Sequence, residues 1–235
     1  MILRLCEPLG PDLLPFAQDL VALVKDPADP VRGYDLLIRS DATPAAAAGR
    51  EAIRRDPQIA PLLEDRDALA WTAMEELLAL PADSLGHRHA RRMRPGGLDM
   101  PPPATLPPEL ATADAWIHQR TRQTHALWHV VSGCPASPAG EGAVLGLMIL
   151  LLNWPGAALL VSAALMLRSL CGPATGDADI GLAVAFGLQL SQVCASLLAQ
   201  RWEEVWHRPL AAWQPELGIA TMLESSPFRR EEGQG

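Results

Sequence analysis

The chain has 235 residues, of which 49% are hydrophobic and 20% are charged, a balance that excludes a disordered protein and allows a sizeable core. Its formal net charge of −8 argues against broad binding to nucleic acids. None of its four cysteines forms a Cys-x-x-Cys pair, which favours reduced thiols and a cytoplasmic location over a disulfide scaffold.

Long segments of Ala and Leu at helical spacing dominate the chain and β-branched alternation is scarce, which predicts an all-α fold. We expect residues 1–15 to form an irregular arm or a short helix, without the pattern of a signal peptide. The predicted helices then cover residues 16–24, 31–40, 45–55 and 67–78. A turn near Asp83 and Ser84 leads into the next helix, with either residue as its N-cap.

Residues 95–108 are rich in Pro and Gly and form the clearest predicted loop. The loop could separate two subdomains. We favour a single domain over residues 16–220, because neither flank alone has a complete core. Residues 221–235 are polar and are predicted to be a disordered tail.

The second half contains the most apolar segments. A long helix is predicted over residues 111–131. Residues 142–167 carry no charge, but Asn153-Trp-Pro-Gly156 interrupts them, so we expect two helices of about ten residues, each too short to span a bilayer of about 30 Å. Two buried core helices are the favoured interpretation; shallow membrane insertion or the wall of a lipid tunnel is the alternative. Another uncharged helix is predicted over residues 180–200.

A candidate metal site lies in the long helix. His125 and His129 are four residues apart, so they share one face of that helix about one turn apart. Glu141 follows a Gly/Pro-rich break and is predicted to open the next helix, from which it can point back as a third ligand. Two His and one carboxylate suit zinc or another divalent cation. A His pair on a helix face is, however, more often a surface or core feature.

Two further features have less specific interpretations. Basic clusters at residues 50–55 and 87–94 are interpreted as solvated helix faces, with contact to an anionic lipid or a phosphate as the alternative. His118 lies seven residues before His125, a spacing that predicts the same helix face two turns away, where we expect a neighbour rather than a ligand.

Several separated stretches together resemble the coenzyme Q biosynthesis protein 4 family. The family motif, His-Asp-x-x-His followed after eleven residues by Glu, corresponds here to His125-Ala-Leu-Trp-His129 and Glu141. Residues 80–86 (LPADSLG) and 202–210 (WEEVWHRPL) also resemble the family. The resemblance covers roughly residues 16–220 in three motifs that occur in the family's order.

The resemblance implies an all-helical protein of ubiquinone assembly on the inner face of a membrane. It implies a metal, taken as zinc, at His125, His129 and Glu141. The implied activity is oxidative decarboxylation at C1 of a polyprenylated benzoate ring, together with scaffolding of the other pathway enzymes. We therefore expect the chain to be cytoplasmic and peripheral on the inner face of the cell membrane.

The sequence departs from the family pattern beside this site. Ala126 replaces the motif Asp, and Gln123 replaces the acidic residue usually found two positions before the first His. If the Asp is a ligand, two His, one Glu and a water still form a workable open shell. If it transfers protons, the chemistry is impaired while binding survives. The loss of two negative charges should also weaken any cation site.

Four functions therefore remain open. In the first, a metal-assisted lyase, His125, His129 and Glu141 hold the cation, Arg120 or Arg122 orients the substrate carboxylate, and the uncharged helices hold the polyprenyl tail. The second is a non-catalytic module that binds a quinone precursor or another isoprenoid and presents it to pathway enzymes. A zinc peptidase is disfavoured, because Ala126 stands where such enzymes have Glu. A helical structural protein is the fourth, and a homodimer is compatible with all of them.

Overall fold

A computed structural model describes residues 13–26, 36–37, 39–64, 72–93, 112–172 and 176–229. Within these ranges the regular structure is helical, and β-pairing is limited to an isolated antiparallel bridge between Ser84 and Pro209. The prediction of an all-α fold with a single domain is confirmed. The predicted loop over residues 95–108 lies outside the described residues.

The helices are numbered here in chain order. They are α1 (Leu13–Lys25), α2 (Pro44–Arg55), α3 (Ala60–Glu64), α4 (Met74–Leu78), α5 (Leu85–Met93), α6 (Thr112–Ser132), α7 (Pro138–Leu151), α8 (Pro155–Cys171), α9 (Ile180–Val193), α10 (Leu210–Glu216) and α11 (Ala220–Leu223), with a 3-10 turn over Trp202–Glu204. The predicted starts of α2 and α6 are therefore correct to within a residue. In the described part of the helix predicted over residues 67–78, residues 72–73 are not helical and Met74–Leu78 are; residues 65–71 lie outside the described ranges.

The apolar segment in the second half divides as its sequence indicates. It breaks between Leu151 and Pro155, where Asn153 has a positive φ of 52°. The two helices have 14 and 17 residues, longer than the ten expected. The reason is that Ser137 caps α7 earlier than expected, while α8 continues to Gly172 at a φ of 84°. None of the helices in the described residues combines the length and the hydropathy needed to cross a lipid bilayer.

The prediction that both halves are buried core helices holds for α7 and only in part for α8. The side chains of α7 are buried from Ala139 to Met148 except for Glu141. On α8, one face is buried around Val161, whereas Leu165, Met166 and Leu170 are exposed on the other.

Two corrections concern the C-terminal region. The helix predicted over residues 180–200 ends at Val193, because the following chain turns inward: the Ala195 N–H donates to the Leu217 carbonyl at 2.9 Å, and Leu197 and Leu198 enter the core. The tail predicted to be disordered from residue 221 is ordered to residue 229. In it, the Phe228 ring packs edge-on against Phe186. Residues 230–235, like residues 1–12 of the predicted arm, lie outside the described ranges.

Close packing of α7 against α9 fixes the helix that carries Glu141. A Cβ atom on Gly187 would lie 1.9 Å from the Ala143 carbonyl oxygen, and one on Gly146 would lie 2.7 Å from the Val184 carbonyl oxygen. Only glycine allows two helix backbones to approach this closely. The core that surrounds them also contains the fully buried Trp128 of α6.

Polar contacts hold the N-terminal end of α6. The Arg50 Nε–H donates to Asp114 at 2.9 Å, and Arg54 also pairs with Asp114, so α2 is tied to the start of α6. On the next turn, His118 Nε2 lies 3.5 Å from an Asp41 carboxylate oxygen. The sequence places His118 two turns before His125, and in the structure its ring faces Asp41.

His89 should make the protein less stable in mild acid. Its side chain is buried, its ring stacks on Trp206, and burial together with the charge of Arg92 lowers its pKa to about 4. Between pH 6.5, the ordinary pKa, and pH 4, the His89 imidazole therefore binds a proton in the unfolded chain but not in the folded chain. This contribution lowers the free energy of unfolding by about 1.4 kcal/mol per pH unit as the pH falls.

We expect a His89→Phe variant to lose this component, so the parent-minus-variant difference in the free energy of unfolding should shrink as the pH falls from 6.5 to 4.5. Urea unfolding at several pH values measures it. A variant of the exposed His207, His207→Gln, should keep the parental slope. Parallel curves for the parent and His89→Phe would contradict the buried neutral imidazole.

Candidate metal centre

Two helices bring the three predicted ligands together. His125 and His129 lie on one face of α6, and Glu141 lies in the first turn of α7. Among the described residues, these three form the group of His, Cys, Asp or Glu side chains able to hold a metal ion, with ligand atoms within 4.8 Å of one another. The prediction that Glu141 opens the helix after the break is confirmed.

A tight loop fixes the start of α7 and hence the position of Glu141. The Ser137 hydroxyl accepts from the Gly140 N–H at 3.2 Å and donates to an Asp177 carboxylate oxygen at 2.8 Å. The other Asp177 oxygen accepts from the Ala139 N–H at 2.9 Å. The loop also packs closely, because a Cβ on Gly140 would overlap the Pro135 carbonyl at 2.0 Å.

The three donor atoms form a nearly equilateral triangle. His129 Nε2 lies 3.2 Å from His125 Nε2 and 3.1 Å from a Glu141 carboxylate oxygen, and His125 Nε2 lies 3.3 Å from the Glu141 carboxylate. Two ligands bound about 2.0–2.1 Å from a tetrahedral zinc ion are separated by about 3.3 Å. The triangle therefore matches one face of a tetrahedral zinc shell.

The ring orientation of His129 favours ligation through Nε2. Its Nδ1 lies 3.3 Å from the Cys134 carbonyl oxygen, which can only accept a hydrogen bond. A neutral imidazole with Nδ1–H directed at that carbonyl presents the Nε2 lone pair to the centre. Burial lowers the pKa of His129, and the nearby His125 and Arg92 act in the same direction against the Glu141 carboxylate, which favours the neutral form that binds metals.

Glu141 is ionised at neutral pH. Its partial burial by itself opposes ionisation, but hydrogen bonds and charge interactions with His125 and His129 outweigh this effect and hold the pKa of Glu141 well below its ordinary value. The side chains grade from a buried His129 (4% exposed) through His125 (29%) to Glu141 (47%). The candidate metal centre is therefore buried on the side of His129 and open to solvent on the side of Glu141.

The positions that depart from the family motif supply no carboxylate. Ala126 and Gln123 are half-buried neutral side chains beside the His pair. Three protein ligands with a fourth position open to water or substrate is the usual arrangement of a catalytic zinc site. The residues present therefore fit a divalent metal, with one negative charge from the protein.

The structure corrects the prediction that Arg120 could orient a substrate. Its side chain is 0% exposed, and NH1 donates to both Glu203 carboxylate oxygens at 3.0 and 3.2 Å. Its other nitrogens face the carbonyls of Leu198 and Gln200. The α6 periodicity predicts a helical position for Arg120 but not the inward turn of residues 197–204 that surrounds it.

Arg122 remains a candidate to contact a substrate. It is half-buried and lies three residues before His125, a spacing that puts the two residues on neighbouring positions of the same side of α6. Arg92 is a neighbour of the centre that the sequence did not indicate: its NH1 donates at 3.0 Å to the same Cys134 carbonyl that His129 contacts. No motif distinguishes Arg92 from the other basic residues of its cluster, so only the packing of α5 on α6 reveals it.

Comparisons with known proteins agree with these features. The sequence model of the "Coenzyme Q (ubiquinone) biosynthesis protein Coq4" family matches residues 22–222. "Ubiquinone biosynthesis protein COQ4, mitochondrial" of Eremothecium gossypii is 30% identical over 190 residues, which cover 79% of this chain and 54% of that protein. The COQ4 homologue of Rattus norvegicus is 27% identical over 182 residues, 73% of this chain and 64% of that protein. The chain thus spans between about half and two thirds of these relatives.

A crystal structure of a protein from Nostoc punctiforme shares the fold. It superposes with a TM-score of 0.74 at 22% identity, covering 88% of this chain and 96% of that chain. The family model covers most of the sequence, so the chain belongs to the coenzyme Q (ubiquinone) biosynthesis protein Coq4 family.

Proposed function

We propose that this chain acts in ubiquinone biosynthesis, as a metal-assisted lyase for the oxidative decarboxylation of a polyprenylated hydroxybenzoate ring. Family membership supports the role in ubiquinone biosynthesis. The observation that carries the chemistry is the triangle of donor atoms on His125, His129 and Glu141, with sides of 3.1–3.3 Å.

A divalent metal, with zinc as the first candidate, would supply a Lewis acid to the carboxylate or phenolate of the ring. His125, His129 and Glu141 would hold it, and the Cys134 carbonyl would keep the His129 ring oriented. Arg122 would contact the substrate carboxylate from the preceding turn of α6. Replacing a ring carboxylate by a hydroxyl also requires an oxygen-donating oxidant as co-reactant.

The apolar surfaces suit an isoprenoid substrate and a peripheral location. Leu165, Met166 and Leu170 of α8 and Leu182 of α9 are exposed apolar side chains. Exposed apolar surface of this kind can contact a polyprenyl tail, the inner face of the cell membrane, a second copy of the chain or other ubiquinone-pathway enzymes. We propose a cytoplasmic protein that is peripheral to that membrane.

A Glu141→Ala variant should lose the metal and the decarboxylation together. Removing one of three protein ligands weakens the site and exposes the His pair to water. Metal content and release of carbon dioxide from a prenylated hydroxybenzoate are measured on the same preparation, with the exposed Glu76→Ala as matched control. Activity that persists in Glu141→Ala would exclude a metal-dependent reaction at this centre.

The second candidate function is a non-catalytic module that binds an isoprenoid or quinone precursor and organises the pathway enzymes. The specific observation that favours it is Ala126, which leaves the centre without the family's motif carboxylate. This function predicts an isoprenoid that copurifies with the chain, and no decarboxylation by the parent. Restored decarboxylation in an Ala126→Asp variant would show that the missing carboxylate is the cause.

A further inference from the structure

Among the residues that the structure describes, the buried and half-buried arginines are paired with carboxylates, with two exceptions. Within the described ranges, those with a carboxylate oxygen within 4 Å are Arg50, Arg54, Arg120, Arg201 and Arg208. The exceptions in the same ranges are Arg92 and Arg122, and both are half-buried. Arg92 shares the Cys134 carbonyl with His129, whereas Arg122 lies about one turn before His125 on α6. The Glu141 carboxylate attracts Arg92 from beyond 4 Å, but it is itself engaged by His125 and His129. A partly desolvated guanidinium whose nearby carboxylate is engaged elsewhere favours the binding of an anion.

Arg92 is the better placed of the two to reach the metal position. It lies in the last turn of α5, and its NH1 donates to the Cys134 carbonyl at 3.0 Å. That carbonyl also contacts His129 Nδ1 at 3.3 Å, so one backbone oxygen joins the guanidinium to a metal ligand. A guanidinium has five N–H donors, and this contact uses one of them.

The charge balance of the centre also favours an anionic ligand. Glu141 is the carboxylate of the centre, whereas Ala126 and Gln123 stand where the family motif has acidic residues. A divalent cation held by one carboxylate beside the cationic Arg92 leaves a net positive site. Such a site favours an anionic ligand over a neutral one of the same shape.

We propose that Arg92 anchors the carboxylate of an aromatic acid at the metal centre and so determines the specificity for the acid. The proposal rests on the proposed function for the identity of the acid. The geometry suits it, because a planar guanidinium pairs with a carboxylate through two parallel hydrogen bonds, which also fix the ring relative to the metal.

The competing role is structural: Arg92 could serve only to hold the Cys134 carbonyl and, through it, the His129 ring. The two roles predict that different properties change when Arg92 is replaced: the metal content or the affinity for the acid. A structural role predicts loss of the metal in Arg92→Gln. An anchoring role predicts that the metal stays and that affinity falls for an acid but not for its neutral amide.

The test measures binding of 4-hydroxybenzoate and of 4-hydroxybenzamide, its neutral counterpart, to the zinc-supplemented full chain by calorimetry. The parent should bind the acid more tightly than the amide. Arg92→Gln should lose about tenfold or more in affinity for the acid and leave the affinity for the amide unchanged. Arg92→Lys, which keeps the charge but not the planar fork, should fall between them. The exposed neighbour Arg91→Gln is the matched control.

The outcomes separate this inference from the proposed function. The anchoring role of Arg92 would be overturned by any of three results. The parent could bind acid and amide equally, Arg92→Gln could bind the acid as the parent does, or Arg92→Gln could lose its zinc. If the parent binds zinc and the acid, and Arg92→Gln loses only the acid, the anchor stands even where no decarboxylation is detected. If decarboxylation is present and Arg92→Gln binds the acid normally, the function stands without the anchor.

Discussion

A His129→Ala variant is expected to lose the metal that we propose the parent chain binds. His129 is the most buried of the three ligands, and its Nε2 lies 3.1–3.2 Å from the other two donor atoms. Removing it leaves one imidazole and a half-exposed carboxylate, which together form a weak surface site. We expect more than about a hundredfold loss of zinc affinity, because losing a group that only orients a metal ligand already costs about 10–100-fold.

Elemental analysis after purification and dialysis checks this result. The parent should carry about one zinc per chain, the capacity of a three-ligand site, and His129→Ala should carry little. The exposed His207→Ala controls for nonspecific binding to histidine, and a thermal unfolding curve shows whether His129→Ala keeps its fold. Zinc that is retained in His129→Ala, or missing from the parent, would contradict a metal centre built on these residues.

The largest loss of stability is expected at Arg120. An Arg120→Met change leaves Glu203 as an uncompensated carboxylate beside the core, since its side chain is 8% exposed. Removing one partner of a buried ion pair typically costs 3–5 kcal/mol, so we expect a decrease of about that size in the free energy of unfolding. The change also frees the carbonyls of Leu198 and Gln200, which supports the upper part of that range.

Urea unfolding of the two single variants and the double variant measures this effect. Arg120→Met with Glu203→Leu should recover much of the lost stability, because it removes both charges. Arg168→Gln is the control: it breaks an exposed pair with Asp179 and should cost far less stability than Arg120→Met. A loss of under about 1 kcal/mol in Arg120→Met would show that the pair is not a buried structural contact.

The sequence predicted the frame of the centre because local rules determine it. The spacing of four between His125 and His129 fixes their shared face on any helix. Ser137 and Pro138 form a cap and a first turn, so Glu141 had to fall at the start of the next helix. The break at residues 153–156 was predictable for the same reason, since Pro155 cannot continue the preceding helix.

The arginines could not be assigned from the sequence. Arg120 and Arg122 are two residues apart on α6, and the helical period places them on different faces without saying which face meets another segment. That depends on residues 197–204, which were predicted to be partly helical and instead turn into the core around Arg120. Arg92 lies 33 positions before His125, and the packing of α5 on α6 brings it to the centre.

The sequence by itself determined the helical class, the spacing of the His pair and the start of the helix that carries Glu141. These properties depend on periodicity, capping and turn residues, which act over a few positions. Three features follow from tertiary packing alone: the distances of 3.1–3.3 Å between the three donor atoms, the burial of Arg120, and the contact of Arg92 with the Cys134 carbonyl. These depend on contacts between segments far apart in the chain, which the local pattern of side chains does not encode.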